Sequence, residues 1–155
     1  MKKHSVLFVC TGNICRSSTA EGVFRHYARQ KDMTDRFLID SAGTHGYHVG
    51  EPPDSRAVAV ALARDIKIDD LRARCIAVQD FHDFDFILAM DQGHFDILSG
   101  MMPAGGNANI SLFMDYAPQA GRADVPDPYY GTQKDFEYVL DLAEQGAEGL
   151  LTHLG

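Results

Sequence analysis

The sequence predicts an α/β fold: a single doubly wound domain over residues 1–155, in which a four-stranded parallel sheet is flanked by helices on both faces. Three observations predict it. Four short β-branched or aromatic runs alternate with stretches of helical periodicity, the pattern of parallel strands joined by helical crossovers. The 155 residues suit one core of ordinary size, and no repeat, low-complexity segment or linker divides them. The residues best able to do chemistry fall at the carboxyl ends of the strand runs, where open parallel sheets bind ligands.

The first strand covers 5–9. It runs into Val9-Cys10-Thr11-Gly12-Asn13-Ile14-Cys15-Arg16-Ser17-Ser18, and a helix leaves that turn with Ala20, Val23, Phe24, Tyr27 and Ala28 on one face. Phe37, Leu38 and Ile39 read as the second strand, ending in Asp40-Ser41-Ala42-Gly43-Thr44. Pro53 and Asp54 open an alanine- and valine-rich helix to about Arg64. Residues 86–89 form the third strand, stopped at Met90-Asp91, with a short helix through Leu98. Gly105-Gly106-Asn107 marks a loop before a fourth strand near 110–113. Residues 116–131 hold Pro118, Gly121, Pro126, Pro128 and Gly131 and read as one long irregular loop, a feature usually kept for function. Thr132 caps the last helix with Asp135 in the capping-box position; its buried stripe is Phe136, Val139, Leu140, Ala143, Ala147, Leu150 and Leu151.

The net charge of −8 argues against nucleic acid or an anionic membrane as partner. No stretch is apolar for long enough to span a bilayer, and the short apolar run after Lys2 and Lys3 does not read as a signal peptide. Three cysteines, Cys10, Cys15 and Cys75, without framework spacing point to a reducing cytoplasm.

An acidic chain that binds an anion needs a local, preorganised site, and the turn after the first strand has the makings of one. A cysteine, five residues and an arginine sit between strand and helix. Such a loop can curl its backbone N–H groups around one oxyanion, while the helix N-terminus favours a thiolate as well as a phosphate. Arg16 supplies a planar, permanently charged fork for two phosphate oxygens. Gly12 is expected to take a backbone conformation closed to residues with a Cβ, and Asn13 tolerates the left-handed region. A nucleotide P-loop needs Gly-Lys-Ser/Thr at the helix start, and this turn has Cys-Arg-Ser.

Together with Asp40-Ser41-Ala42-Gly43-Thr44, Asp54-Ser55-Arg56, Ala89-Met90-Asp91 and Asp127-Pro128-Tyr129, this loop resembles the low-molecular-weight protein tyrosine phosphatases, in family order over almost the whole chain. The resemblance implies a flavodoxin-like strand order 2-1-3-4. It implies Cys10 as nucleophile, Arg16 as phosphate clamp and Asp127 as general acid, with Thr11, Gly12, Asn13, Ile14, Cys15 and Arg16 cradling the phosphate. Asn13, Ser17 and Ser41 match a hydrogen-bonding set that holds the loop and the thiolate, and Tyr47, Tyr129 and Tyr130 match an aromatic wall. The sequence departs from the family pattern at four positions. Leu71 replaces a histidine that buttresses Asn13, Ser18 a proline, His94 an asparagine and Thr11 a leucine.

A phosphate monoester resists water because its centre is highly charged; a thiolate splits the reaction into two easier steps through a phosphocysteine. Loop amides, helix terminus, Arg16 and the Ser17 hydroxyl favour that thiolate. Asp127 protonates the departing phenolate and then activates water; Asp91 and Asp40 are the other carboxylates considered, both at strand ends where capping is commoner. No metal or other cofactor is needed, and His45 and His48 lack a cysteine near them in sequence to make a zinc site. Cys15 either packs under the loop or forms a protective disulfide with Cys10, and Cys75 reads as structural. The expected partner is a phosphotyrosine-bearing protein, such as a tyrosine kinase, with phosphate or vanadate as ligands and a monomer or weak homodimer as the working state. Two alternatives remain: an arsenate reductase of the same fold, which needs further cysteines to carry a disulfide outward, and a phospho-binding module without turnover.

Overall fold

The structure, a computed structural model, describes residues 3–155, so Met1 and Lys2, the start of the segment read as no signal peptide, lie outside it. Strands β1 (His4–Cys10), β2 (Phe37–Gly43), β3 (Phe86–Ala89) and β4 (Asn109–Leu112) form one parallel sheet in the order β2-β1-β3-β4. The register pairs Cys10 with Gly43, Val9 with Ala89, and Ala89 with Leu112, so the strand ends line up along one edge.

The period-two alternation of β1 divides the core. Val6 and Phe8 belong to one apolar cluster with α1 (Arg16–Gln30), α2 (Ser55–Leu62) and α5 (Gln133–Leu154). Leu7 and Val9 belong to the other, with α3 (Asp80–Asp83) and α4 (Gln92–Met101). Phe8 joins the first layer by ring contacts to Phe24 at 5.8 Å and Phe113 at 5.4 Å. All seven residues of the expected α5 stripe are buried, and the Asp135 carboxylate accepts the Thr132 amide at 2.7 Å.

Four expectations change. β4 ends at Leu112 because Phe113 starts a 3-10 turn that drives its ring into the core. α4 runs on to Met101, and the four-residue α3 is too short to show a period. The loop from 116 to 131 is not wholly irregular, since Pro118–Ala120 is a 3-10 turn. Cys75 is exposed; its structural part is a backbone bridge beside Gly43.

Candidate active site

The Cys10–Arg16 loop leaves the central strand β1 and enters α1 at the aligned edge of the sheet. The cleft above it is about 260 Å³, lined from the loop by Cys10, Thr11, Gly12, Ile14, Cys15 and Arg16. The α1 N-terminus carries no side-chain cap and no acidic residue in its first turn, so its free N–H groups and positive potential remain available to an anion. Cys10 Sγ is buried at the cleft floor, with Ser17 Oγ 3.0 Å away.

Asn13 organises what lies beneath. Its φ of 61° is the left-handed turn of the loop. Its side chain turns inward: Nδ2 donates to Ser17 Oγ at 2.8 Å and Ser41 Oγ at 2.9 Å, and Oδ1 accepts the Arg74 amide at 3.1 Å. Leu71 has no polar side chain to offer Asn13, and the Arg74 amide is the group that holds Oδ1. Because both serine oxygens accept from Asn13, each keeps its own hydrogen to give. Ser41 gives its hydrogen to the buried Glu21 carboxylate; Ser17 can give its own to Cys10, the other acceptor in reach being the Ala42 carbonyl at 3.4 Å. Burial pushes the Glu21 carboxyl above its ordinary value against the opposing pull of Ser41 and Arg25.

Gly12 does not use the glycine-only region, which corrects the sequence expectation. A Cβ there would stand 2.9 Å from His48 Cδ2, so a larger residue would have to push that partly exposed ring aside. His48 therefore closes one side of the cleft.

Arg16 is 5% exposed although it is charged. Its Nη1 donates to Asp91 Oδ2 at 2.8 Å and to the Val125 carbonyl at 3.1 Å. Its Nη2 reaches Thr11 Oγ1 at 3.4 Å and stands 3.9 Å from Asp127 Oδ2. Val125 pins the long loop by donating its amide to the Met90 carbonyl, and Asp127 follows two residues later, half exposed at the rim. Asp40 is turned away onto the Ser41 amide and Arg74.

Tyr47, Tyr129 and Tyr130 ring the mouth. Tyr129 meets Tyr130 edge-on at 5.0 Å, and Tyr47 stacks on His45 at 5.2 Å. Tyr130 is 93% exposed, so its ring is free to meet a ligand.

A family model described as low molecular weight phosphotyrosine protein phosphatase matches residues 5–155. The chain belongs to this family. YfkJ of Bacillus subtilis, named a low molecular weight protein-tyrosine-phosphatase, is 41% identical over 150 residues, covering 97% of this chain and 95% of its own. The human low molecular weight phosphotyrosine protein phosphatase is 41% identical over 137 residues, covering 87% and 85%. A protein tyrosine phosphatase from Entamoeba histolytica, solved with Hepes in its active site, superposes with a TM-score of 0.93 at 37% identity, covering 98% of this chain and 97% of its own.

Within this phosphatase family site, several contributors carried no signal in the sequence. The Arg74 amide and Val125 carbonyl are backbone groups, silent in residue identity. Two of the departures from the family pattern touch each other: Thr11 Oγ1 lies 2.8 Å from His94 Nε2. Glu21 is readable as a helix residue and Asp91 as a strand-end residue, but their partners lie 20 and 75 positions away.

Proposed function

We propose that this phosphatase hydrolyses phosphotyrosine in proteins through a phosphocysteine formed on Cys10. The single observation that carries this reading is the convergence on one cleft of a buried Cys10 Sγ with Ser17 Oγ at 3.0 Å, the pinned Arg16 fork, and Asp127 Oδ2 at 3.9 Å from that fork. Cys10 attacks phosphorus from the floor. Charge on the equatorial oxygens meets loop amides and Arg16, so the protein's own groups supply the neutralisation a metal would otherwise provide. Asp127 protonates the departing phenolate and then takes a proton from water, which releases phosphate and restores the thiolate. A phenyl ring carries its phosphate in from the rim toward the floor, and Tyr47, Tyr129 and Tyr130 line the cleft where that ring would lie. Phosphoserine is too short for that reach.

The three unpaired cysteines, one of them exposed, support a reducing cytoplasm as its place of work, and no described helix is long and apolar enough to cross a membrane. The partner is a phosphotyrosine-bearing protein, with phosphate and vanadate as competing ligands.

Hydrolysis of para-nitrophenyl phosphate and of phosphotyrosyl and phosphoseryl peptides tests this, beside thioredoxin-coupled arsenate reduction. Activity confined to the aryl esters, abolished in Cys10→Ser and reduced about 10²–10⁴-fold in Asp127→Ala, is the expected result. Arsenate reduction without ester hydrolysis overturns it.

A further inference from the structure

Both short contacts to Arg16 fall on the same atom. Asp91 and the Val125 carbonyl each take Nη1. A planar fork pinned at one tip can still swing about that tip, and a phosphoryl group needs both tips in register. The other tip, Nη2, meets Thr11 Oγ1 at 3.4 Å, a weak bond if the hydroxyl is a free rotor. It is not free. The same oxygen lies 2.8 Å from Nε2 of His94, which sits in the first turn of α4 and is 4% exposed.

The proton inventory sets the polarity. Arginine only donates, so Thr11 Oγ1 accepts from it and has its hydrogen left for the imidazole. The ionised Asp91 carboxylate beside Nδ1 cannot donate to it, so the neutral ring keeps its proton on Nδ1 and leaves Nε2 to accept the Thr11 hydrogen. Nδ1 is buried without a hydrogen-bond partner, 3.1 Å from Asp91 Oδ1 but out of line with it. Burial pushes the His94 pKa down to about 4, with Arg16 adding to the shift against Asp91, so the ring is the neutral acceptor near neutral pH.

We propose that Thr11 and His94 act as one positioning unit for Arg16: the imidazole fixes the Thr11 hydroxyl, and the hydroxyl holds the Nη2 tip in the plane that meets the transferring phosphoryl group. The unit lets α4 grip both tips of the fork, directly through Asp91 and indirectly through His94. It rests on the phosphatase reading of this cleft.

The test compares wild type, Thr11→Val, Thr11→Ser, His94→Leu and the Thr11→Val/His94→Leu pair. Steady-state para-nitrophenyl phosphate hydrolysis is measured with inhibition by vanadate, whose five-coordinate form resembles the transition state, and by phosphate, which does not. Thr11→Val should lower kcat about tenfold with KM held within about twofold. Vanadate should weaken by a similar factor while phosphate stays within about twofold. Thr11→Ser should restore both. The double variant should be no slower than the slower single one, because the two residues act in series. Wild-type kcat and vanadate affinity in Thr11→Val overturns the proposal, as do equal losses of vanadate and phosphate affinity or single-variant losses that multiply. Should His94→Leu fail to fold, the Thr11 pair decides alone. A wild-type chain that leaves the ester intact overturns the phosphatase reading and this unit together; one that hydrolyses it with Thr11→Val unchanged overturns this unit only.

Discussion

Arg16 Nη1 stands 2.8 Å from Asp91 Oδ2, and the same carboxylate takes the His94 amide on its other oxygen at 2.9 Å. Burial alone would raise the Asp91 carboxyl, but the His94 amide and Arg16 outweigh it and hold the group below its ordinary value. A carboxylate kept ionised in this way makes a brace and a poor proton donor. Asp127 is held more loosely: half exposed, it accepts the Tyr129 amide at 3.1 Å and faces Arg16 at 3.9 Å, against 2.8 Å for Asp91.

The two aspartates should therefore separate on a series of aryl phosphates. In Asp127→Ala the rate should fall more steeply as the leaving phenol becomes less acidic, since its proton is no longer supplied. In Asp91→Asn kcat should fall about 10- to 100-fold on every substrate alike, because Arg16 is loosened and the donor is intact. Steepening in Asp91→Asn with a parallel line in Asp127→Ala would reverse the assignment.

Ser17→Ala removes the hydroxyl 3.0 Å from Cys10 Sγ and one of the two acceptors of Asn13 Nδ2. Alkylation by iodoacetate reads the thiolate directly. At about pH 6 it should slow roughly tenfold in this variant and in no surface Ser→Ala control. An unchanged alkylation rate would mean that Ser17 serves the loop and not the sulfur.

His94 links acidity to stability. Its pKa is 6.5 in the unfolded chain and about 4 in the folded one, so between these values the unfolded state binds the extra proton. Stability from this residue is fully present above about pH 6.5 and lost as pH falls toward 4, a change on the order of 2–3 kcal/mol. Urea unfolding of wild type and His94→Asn across that range should show the variant gaining on wild type as pH falls. Parallel curves would contradict the burial of a neutral imidazole.

Cys15 sits in the same loop as Cys10, and its thiol is pushed up by burial first, then by the Asp54 carboxylate and Cys10. It is thus a thiol at rest, and should Cys10 be oxidised to a sulfenic acid, Cys15 is expected to condense with it to a disulfide and water. After a peroxide pulse and dithiothreitol, Cys15→Ser should recover less activity than wild type. Full recovery would leave Cys15 a packing residue.

Much of this architecture was legible because it is local. The Cys10–Arg16 turn, the α1 and α5 stripes and the Thr132–Asp135 box each lie within a few turns of chain, where residue type and period speak directly. What stayed hidden is long-range or lies in the backbone. Nothing in residue identity announces that the Arg74 amide supports Asn13, or that a carbonyl at Val125 completes the grip on Arg16. The sequence puts the end of β4 one residue late because Phe113 is equally apolar as a strand residue and as the core plug of a 3-10 turn. Gly12 reads in the sequence as a residue of backbone freedom, and the neighbour its missing Cβ leaves room for is a histidine 36 positions later in the chain.

Val125 and its neighbour Asp124 also reset the chain's count. The Asp124 carboxylate accepts the Gln92 amide and the Val125 amide donates to the Met90 carbonyl, so whatever path the chain follows after Ala117, it is returned to a fixed origin just before Asp127. Extra or missing residues between those points would be absorbed as slack on the surface, leaving Asp127 where it stands. The segment before Val125 is thus the place where a loop of a different length, or a grafted recognition sequence, could be installed without retuning the chemistry.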